Sequence, residues 1–328
     1  MMDHRSRPTP PRAGRISRRS LLGSGLAVAS MSAAGLAVLP QPVQAAVPHR
    51  FAFGEFEIIV VSDGNLVMPA PFLATNAETG ALQAVMAAAG QRGERVEPPC
   101  NITLVRTKSD LILIDVGAGP HYMPTAGKLM ANLEASGIKP ESITKVVYTH
   151  AHPDHLWGTL DDFDASPNFP NASYVISAVE WNFWLADDVA TRLPENRLNF
   201  APGARRNLGA IKDKIRIVVP GEDIAPGLRA IDSSGHTACH IAIEVASGKD
   251  ALLIVGDALA HPVIAFAHPE WKPAADHHDA DRAIRTRRTL LDRLATDRSR
   301  LVGYHLPFPG VGRVERKGTA YIYVTGER

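Results

Sequence analysis

The sequence predicts an α/β layered domain on three observations. Short apolar runs of strand length recur along the chain, helix-like stretches fall between them, and a tight turn joins two of the runs into a hairpin. With 328 residues and 45% hydrophobic composition, the chain is long enough to bury a sizeable core.

The elements follow in order. EFEIIVVSDG at 55–64 reads as a strand ending in a turn. NITLVRTKSDLILIDVGAG at 101–119 reads as a hairpin, with Lys108, Ser109 and Asp110 at its turn. Residues 123–137 are helix-like and stop at Gly137. TKVVYTH at 144–150 is a buried strand, and 172–186 a strand followed by a helix whose EWNFW stretch has the spacing of core. Further strands fall at 214–219, 228–232, 240–247 and 251–257. Residues 279–297 form an amphipathic helix with arginines on its wet face, and strands at 300–305 and 319–324 close the chain. Residues 65–98 and 261–280 are irregular, and 68–90 is expected to serve as a lid or an oligomer contact.

Residues 1–45 stand apart. They carry six arginines and one acid, with Arg18-Arg19 before Leu21-Leu22, a long run of small apolar residues and a small-residue end at Val43-Gln44-Ala45. The pattern resembles a twin-arginine export signal, so residues 46–328 are expected to be the mature domain, periplasmic or secreted, with no stable membrane insertion. Glycines, serines, Pro40 and Pro42 weaken the apolar stretch as an anchor. Beyond it lie 29 basic and 33 acidic residues, a net charge of −4 that argues against nucleic acid as a partner. Cys100 and Cys239 are the only cysteines and form no C-x-x-C pair, so a thiolate zinc site is unsupported.

The densest chemistry is VVYTHAHPDHLWG at 146–158. His150, His152, Asp154 and His155 fall within six positions directly after an apolar run. Imidazole and carboxylate suit borderline divalent metals. Two residues apart in extended chain, His150 and His152 can point the same way, and Pro153 favours a helical first turn that brings Asp154 and His155 round. Three later residues share that context at a strand end: His236 in AIDSSGHTACH, Asp257 in LLIVGDAL and His305 in LVGYHLPFPG. Seven ligand-type residues suffice for two metals with open positions for water.

H-x-H-x-D-H, then Gly-His, Gly-Asp and a late His, in this order, resemble the metallo-β-lactamase superfamily. FEIIVVSDG, LILIDVGAG, SSGHTACH and YHLPFPGVGRVER resemble its branch holding methyl parathion hydrolase and the N-acyl-homoserine lactonases, over roughly residues 51–324. The resemblance implies an αββα sandwich of two mixed sheets flanked by helices, with metals at one sheet edge. It implies that His150, His152 and His236 hold one metal, that Asp154, His155 and His305 hold the second, and that Asp257 bridges two divalent ions, zinc by expectation. It also suggests a homodimer. Two positions depart from the family: Trp157-Gly158 stands where Gly-Gly is usual, placing an indole beside the metals, and His236-Thr237-Ala238-Cys239-His240 replaces H-T-P-G-H. Cys239 reads as a small buried residue.

The chemistry expected of such a centre is hydrolysis of a neutral ester, lactone or phosphotriester by a metal-bridging hydroxide, with a small molecule as substrate. Asp257 and Asp154 would act at the reacting centre, and Asp115 would orient a ligand histidine. Alternatives in the same superfamily are a mononuclear-iron persulfide dioxygenase, a thioesterase and a β-lactamase; a non-catalytic binding module is a further class. His240 reads as structural, and His277 and His278 as a solvated helix entry. His121, His261 and His268 could line the pocket, though nothing in their spacing requires it, and Trp157, Trp181, Phe183 and Trp184 are pocket-wall candidates.

Overall fold

Alternation of side chains along the strands sorts the core into layers. The computed structural model describes residues 47–326, so the expected export segment lies outside the described residues. The chain opens with β1 (His49–Phe53) and β2 (Phe56–Asn65). A short ribbon, β3 (Met68–Pro69) and β4 (Arg95–Val96), brackets α1 (Ala81–Ala88). Then come β5 (Pro99–Arg106), β6 (Leu111–Ile114), α2 (Leu129–Ala135), β7 (Lys145–Val147), the single turn α3 (Pro153–Leu156), β8 (Ser173–Ser177), α4 (Ala178–Leu185), α5 (Phe200–Ala210) and β9 (Ile215–Val218). The second half holds β10 (Asp223–Ala225), β11 (Leu228–Asp232), β12 (Ile241–Ser247), β13 (Asp250–Ile254), α6 (Ile264–Ala267), α7 (Ala280–Asp297), β14 (Arg300–Val302), β15 (Val311–Lys317) and β16 (Ala320–Thr325).

Two mixed seven-stranded sheets result, in the orders β1-β2-β5-β6-β7-β8-β9 and β10 through β16. In the first, β1 to β6 pair antiparallel and β6 to β9 parallel. In the second, only β13 and β14 are parallel, because α7 intervenes as a crossover. Ile58, Val60, Ile112, Ile114 and Val147 of the first sheet meet Ile241, Ile243, Leu252, Ile254 and Val302 of the second in a central apolar layer. Their neighbours point the other way. Ile59, Val61, Leu113 and Val146 pack with Leu133 of α2, Trp184 of α4 and Leu208 of α5, while Leu253 and Leu301 pack with Leu290, Leu291 and Leu294 of α7. The order of layers is therefore helix, sheet, sheet, helix, as the resemblance implies.

The helix expected over 123–137 begins only at Leu129. Buried Asp63, in β2, accepts the backbone N–H groups of Ala118 (2.8 Å), Gly127 (3.2 Å) and Leu129 (2.7 Å), and so holds the preceding residues as a loop. The irregular stretch after β2 contains α1, which buries Leu82 and Met86 with Leu73, Val96 and Ile264. Helix α5 goes unannounced because Pro202 and Gly203 stand at its start, although it buries Ala201, Ala204 and Leu208 on one face; Pro202 is tolerated since it falls in the first turn. Among the described residues no helix is long and apolar enough to cross a membrane. Cys100 and Cys239 are both buried and free.

Candidate metal centre

Seven side chains from both sheets converge at one edge. His150 and His152 lie in the loop after β7, and Pro153 starts α3, which carries Asp154 and His155. His236 follows β11, Asp257 sits on the 3-10 turn Gly256–Leu259 after β13, and His305 follows β14. All seven are buried. Ligand atoms of His150, His152, His236 and Asp257 all lie within 4.8 Å of one another, as do those of His155, Asp257 and His305. Asp257 belongs to both groups. Its Oδ2 lies 3.2 Å from His236 Nε2, and its Oδ1 lies 3.2 Å from His155 Nε2 and 3.5 Å from His305 Nε2. Asp154 Oδ2 lies 3.3 Å from His305 Nε2.

Outer partners fix four of the five rings. His155 Nδ1 donates to Asp115 Oδ2 (2.8 Å), His236 Nδ1 to Asp276 Oδ1 (2.9 Å) and His305 Nδ1 to the Pro99 carbonyl (2.8 Å). His150 Nδ1 faces Thr149 Oγ1 at 3.1 Å. These contacts assign the proton to Nδ1 and leave each Nε2 lone pair directed inward. His150 Nε2 is fully buried and makes no hydrogen bond, and His155 Nε2 and Asp257 Oδ1, buried 3.2 Å apart, make none either. Such orphaned polar atoms are costly unless a ligand takes them up. The residues present therefore fit bound cations, with three nitrogens on one side of Asp257 and two nitrogens plus Asp154 on the other.

The electrostatics point the same way. Burial pushes His150 and His152 well below the ordinary histidine range, so both are neutral and able to donate lone pairs. Burial also opposes charge on His155, but Asp257, Asp154 and Asp115 outweigh it and lift that ring to about 10, so the carboxylates favour a positive charge at Nε2, which a bound cation would supply in place of a second proton. Asp257 is opposed by burial as well, yet His305 and His155 hold it well below the usual carboxylate range. The pocket floor thus stabilises positive charge.

Asp115 closes β6 at φ 63°, a left-handed conformation that aspartate tolerates better than most residues. From there it accepts Thr149 N and Thr149 Oγ1, both at 2.8 Å, as well as His155. His240 is a strut: its Nε2 accepts the Asp257 N–H at 3.0 Å, and its Nδ1 faces Ser233 Oγ at 2.7 Å.

Several participants escape sequence reasoning. Glu180 of α4 is fully buried. Its Oε1 accepts Ala151 N (3.1 Å) and Trp184 Nε1 (2.7 Å), and its Oε2 accepts Thr237 Oγ1 (2.8 Å) and Cys239 N (3.1 Å). One carboxylate thereby ties the His150–His152 loop to the His236 loop. Asp276 is 4% exposed and takes Arg287 Nη2 at 2.5 Å in addition to His236, and His277 is half-buried, so the solvated helix entry expected of AADHHDAD is confined to His278 and Asp279, which caps α7. His277 stacks against His152 at 5.4 Å. Cys100 Sγ sits within 4.8 Å of the Asp154 and His305 ligand atoms. A buried acid in a polar stretch gives no periodic signal, which is why the sequence hid Asp276.

A cavity of about 340 Å³ opens over the cluster, walled by Leu66, Met68, Phe72, Leu73, Phe200 and Trp271 together with Tyr122 and Arg197. Trp157 is not part of this wall, contrary to expectation. Its indole packs against Gly203 of α5 and edge-on to Tyr122, 5.7 Å away. Trp181, Phe183 and Trp184 are also absent from the wall; Phe183 and Trp184 are core.

Residues 95–305 match the model of the metallo-beta-lactamase superfamily. The chain belongs to that superfamily. AidC, a dizinc quorum-quenching lactonase, is similar at 28% identity and a TM-score of 0.80, with 86% of this chain and 98% of that one covered. The hydrolase AbOPH, of the beta lactamase superfamily, is similar at 27% identity and a TM-score of 0.80, with 87% and 99% covered. A probable metallo-hydrolase of Mycobacterium tuberculosis (strain H37Rv) is 25% identical over 191 residues, which span 49% of this chain and 57% of that protein's length. An N-acyl homoserine lactone lactonase at 14% identity and a TM-score of 0.56 shares the fold. The metallo-hydrolase family, its His/Asp cluster and its two-sheet fold agree with what the motifs imply.

Proposed function

We propose that the protein is a dinuclear zinc hydrolase that cleaves an uncharged ester or lactone bond. The observation that carries this reading is the meeting of two ligand groups on Asp257, with buried atoms of His150, His155 and Asp257 that make no hydrogen bond turned inward. The lactonase activity of AidC supports it by similarity. Two divalent ions, when bound, supply a hydroxide at neutral pH and polarise a substrate oxygen.

The chain's own residues then have definite tasks. Asp257 offers one oxygen to each side and is held in place through its N–H to His240. Asp115, Asp276 and the Pro99 carbonyl keep His155, His236 and His305 in the tautomer that donates from Nε2. Tyr122 faces the cavity, and burial pushes its phenol up, so it stays protonated as a donor to a substrate oxygen. The apolar wall excludes water and receives the non-polar part of the substrate.

The test is metal analysis of the purified protein beside Asp257→Ala, with turnover of an acyl lactone, an aryl ester and an aryl phosphotriester. About two zinc per chain, with lactone or ester cleavage lost in the variant, is the expected result. Preference for the phosphotriester would move the substrate class. A single iron with no hydrolysis would overturn the proposal in favour of an oxygenase. Export and a homodimer belong to the same proposal; a mature N-terminus near residue 46 and the native mass test them.

A further inference from the structure

Arg197, at the end of the 3-10 turn Glu195–Arg197, is a cation placed where cations are expensive. It is 6% exposed and lies on the cavity wall between the rings of Phe72 (5.7 Å) and Phe200 (5.5 Å). Nη1 meets His277 Nδ1 at 2.8 Å, and Nη2 donates to the Ala274 carbonyl at 3.0 Å. Neither partner carries negative charge: one is an imidazole nitrogen and the other a backbone carbonyl. Among the described residues no carboxylate lies within 4.0 Å of this guanidinium. Arg287 makes the contrast: equally buried on the same wall, it is paired with Asp276 at 2.5 Å.

A guanidinium carries five N–H donors, and only two are used here. Buried charge is strongly disfavoured unless it is paired. The other acids of the cavity are committed: Asp154 and Asp257 to the ligand cluster, Asp276 to His236 and Arg287. Asn196 and Asn199 line the same wall but take no hydrogen bond from Arg197 and carry no charge, and the rest of the wall is largely apolar, so a negatively charged acceptor for its free donors has to arrive with the ligand.

We infer that Arg197 determines specificity by receiving a carboxylate carried on the substrate away from the scissile bond, so that the preferred substrate is an anionic ester or lactone with an aliphatic spacer. The inference rests on the proposed hydrolase reading for its chemistry. A planar fork matches carboxylate in a bidentate manner, as an ammonium does not. Leu66, Met68 and Leu73 give the spacer an apolar bed.

The experiment compares two aryl esters of equal chain length, the mono-p-nitrophenyl ester of adipate and p-nitrophenyl hexanoate, with the metal-loaded protein. The wild type should favour the adipate ester by at least about tenfold in kcat/KM, as a charge-assisted pair allows. Arg197→Gln should bring the ratio to about one through KM of the adipate ester, and Arg197→Lys should restore part of it. Arg192→Gln, at an exposed arginine paired with Asp188, should keep the wild-type ratio. Calorimetric titration with adipate itself provides a readout independent of turnover, and affinity should fall at least about tenfold in Arg197→Gln. If neither ester is cleaved yet adipate binding still depends on Arg197, the hydrolase reading fails and the anion site stands. A ratio near one in the wild type, or an unchanged ratio and adipate affinity in Arg197→Gln, would overturn the inference.

Discussion

Gly203→Ala should separate a packing constraint from a helix-propensity gain. In an interior helical position the replacement favours the folded state by about 1 kcal/mol. In α5, however, a Cβ on residue 203 would sit 2.4 Å from Cε2 and Cζ2 of Trp157 and 2.5 Å from its Nε1. Ordinary contact needs about an ångström more, and the indole is a rigid plane. Nor can the Trp157 backbone retreat: Gly158 N donates to the Gly117 carbonyl at 3.0 Å, and a Cβ at Gly158 would lie 2.0 Å from the Val116 carbonyl oxygen. Helix α5 must yield instead. Overpacking of this kind costs about 1–3 kcal/mol, so the net effect should be destabilisation by about 0–2 kcal/mol. In a Trp157→Leu background the obstructing atoms are gone, and the same Ala should stabilise by about 1 kcal/mol. Urea unfolding of the four proteins gives the coupling, expected at about 1–3 kcal/mol. Phe200 begins the same helix, with its ring 5.8 Å from His152, so Gly203→Ala should also raise KM. Additive effects, with Ala stabilising in both backgrounds, would refute the packing argument.

Three further outcomes are expected. Glu180→Gln sets an amide NH2 against hydrogen-bond donors and should cost about 1–3 kcal/mol, read by urea unfolding, together with weaker metal retention under a chelator. Asp115→Asn should lower metal affinity by about 10–100-fold, measured by competition with a chromophoric chelator; unchanged affinity would remove Asp115 from the ring-orienting role. His261 lines the cavity, and burial pushes it down to about 4 from an ordinary 6.5. Its stability contribution is full above pH 6.5 and is lost as pH falls towards 4, because the unfolded chain takes the proton first; the loss amounts to about 3 kcal/mol. His261→Asn keeps an acceptor for Val263 N and Ile264 N but cannot titrate. Its urea midpoint should therefore fall less than the wild type's between about pH 7 and pH 4.5, and parallel curves would sink the assignment.

What the sequence made legible was local. His150, His152, Asp154 and His155 sit in one short run, and His236, Asp257 and His305 each end an apolar strand, so the strand ends themselves pointed to the cluster. Short apolar runs such as those of β2 and β13 announced the sheets in the same way. The rest was hidden by distance along the chain. Glu180 joins Ala151 to Thr237, 57 positions away from it, and Asp276 meets His236 across 40. No periodicity encodes such partners, and a carboxylate in a polar or aromatic stretch looks like surface or core. Trp157 misled for a related reason: adjacency to the histidines in sequence did not decide which way the indole turned, and Gly203, far downstream, provided the space it fills.

The division of the ligands between the sheets has a mechanical consequence. His150, His152, Asp154 and His155 come from the half of the chain that ends with β9, and His236, Asp257 and His305 from the half that begins with β10. Neither half owns a complete set, so each cation would act as a rivet between two plates. Its binding free energy would oppose any sliding of one plate over the other, and stripping it out would loosen the joint as well as silence the chemistry. Fragments cut in the turn between β9 and β10 would then reassemble more tightly with zinc than without it.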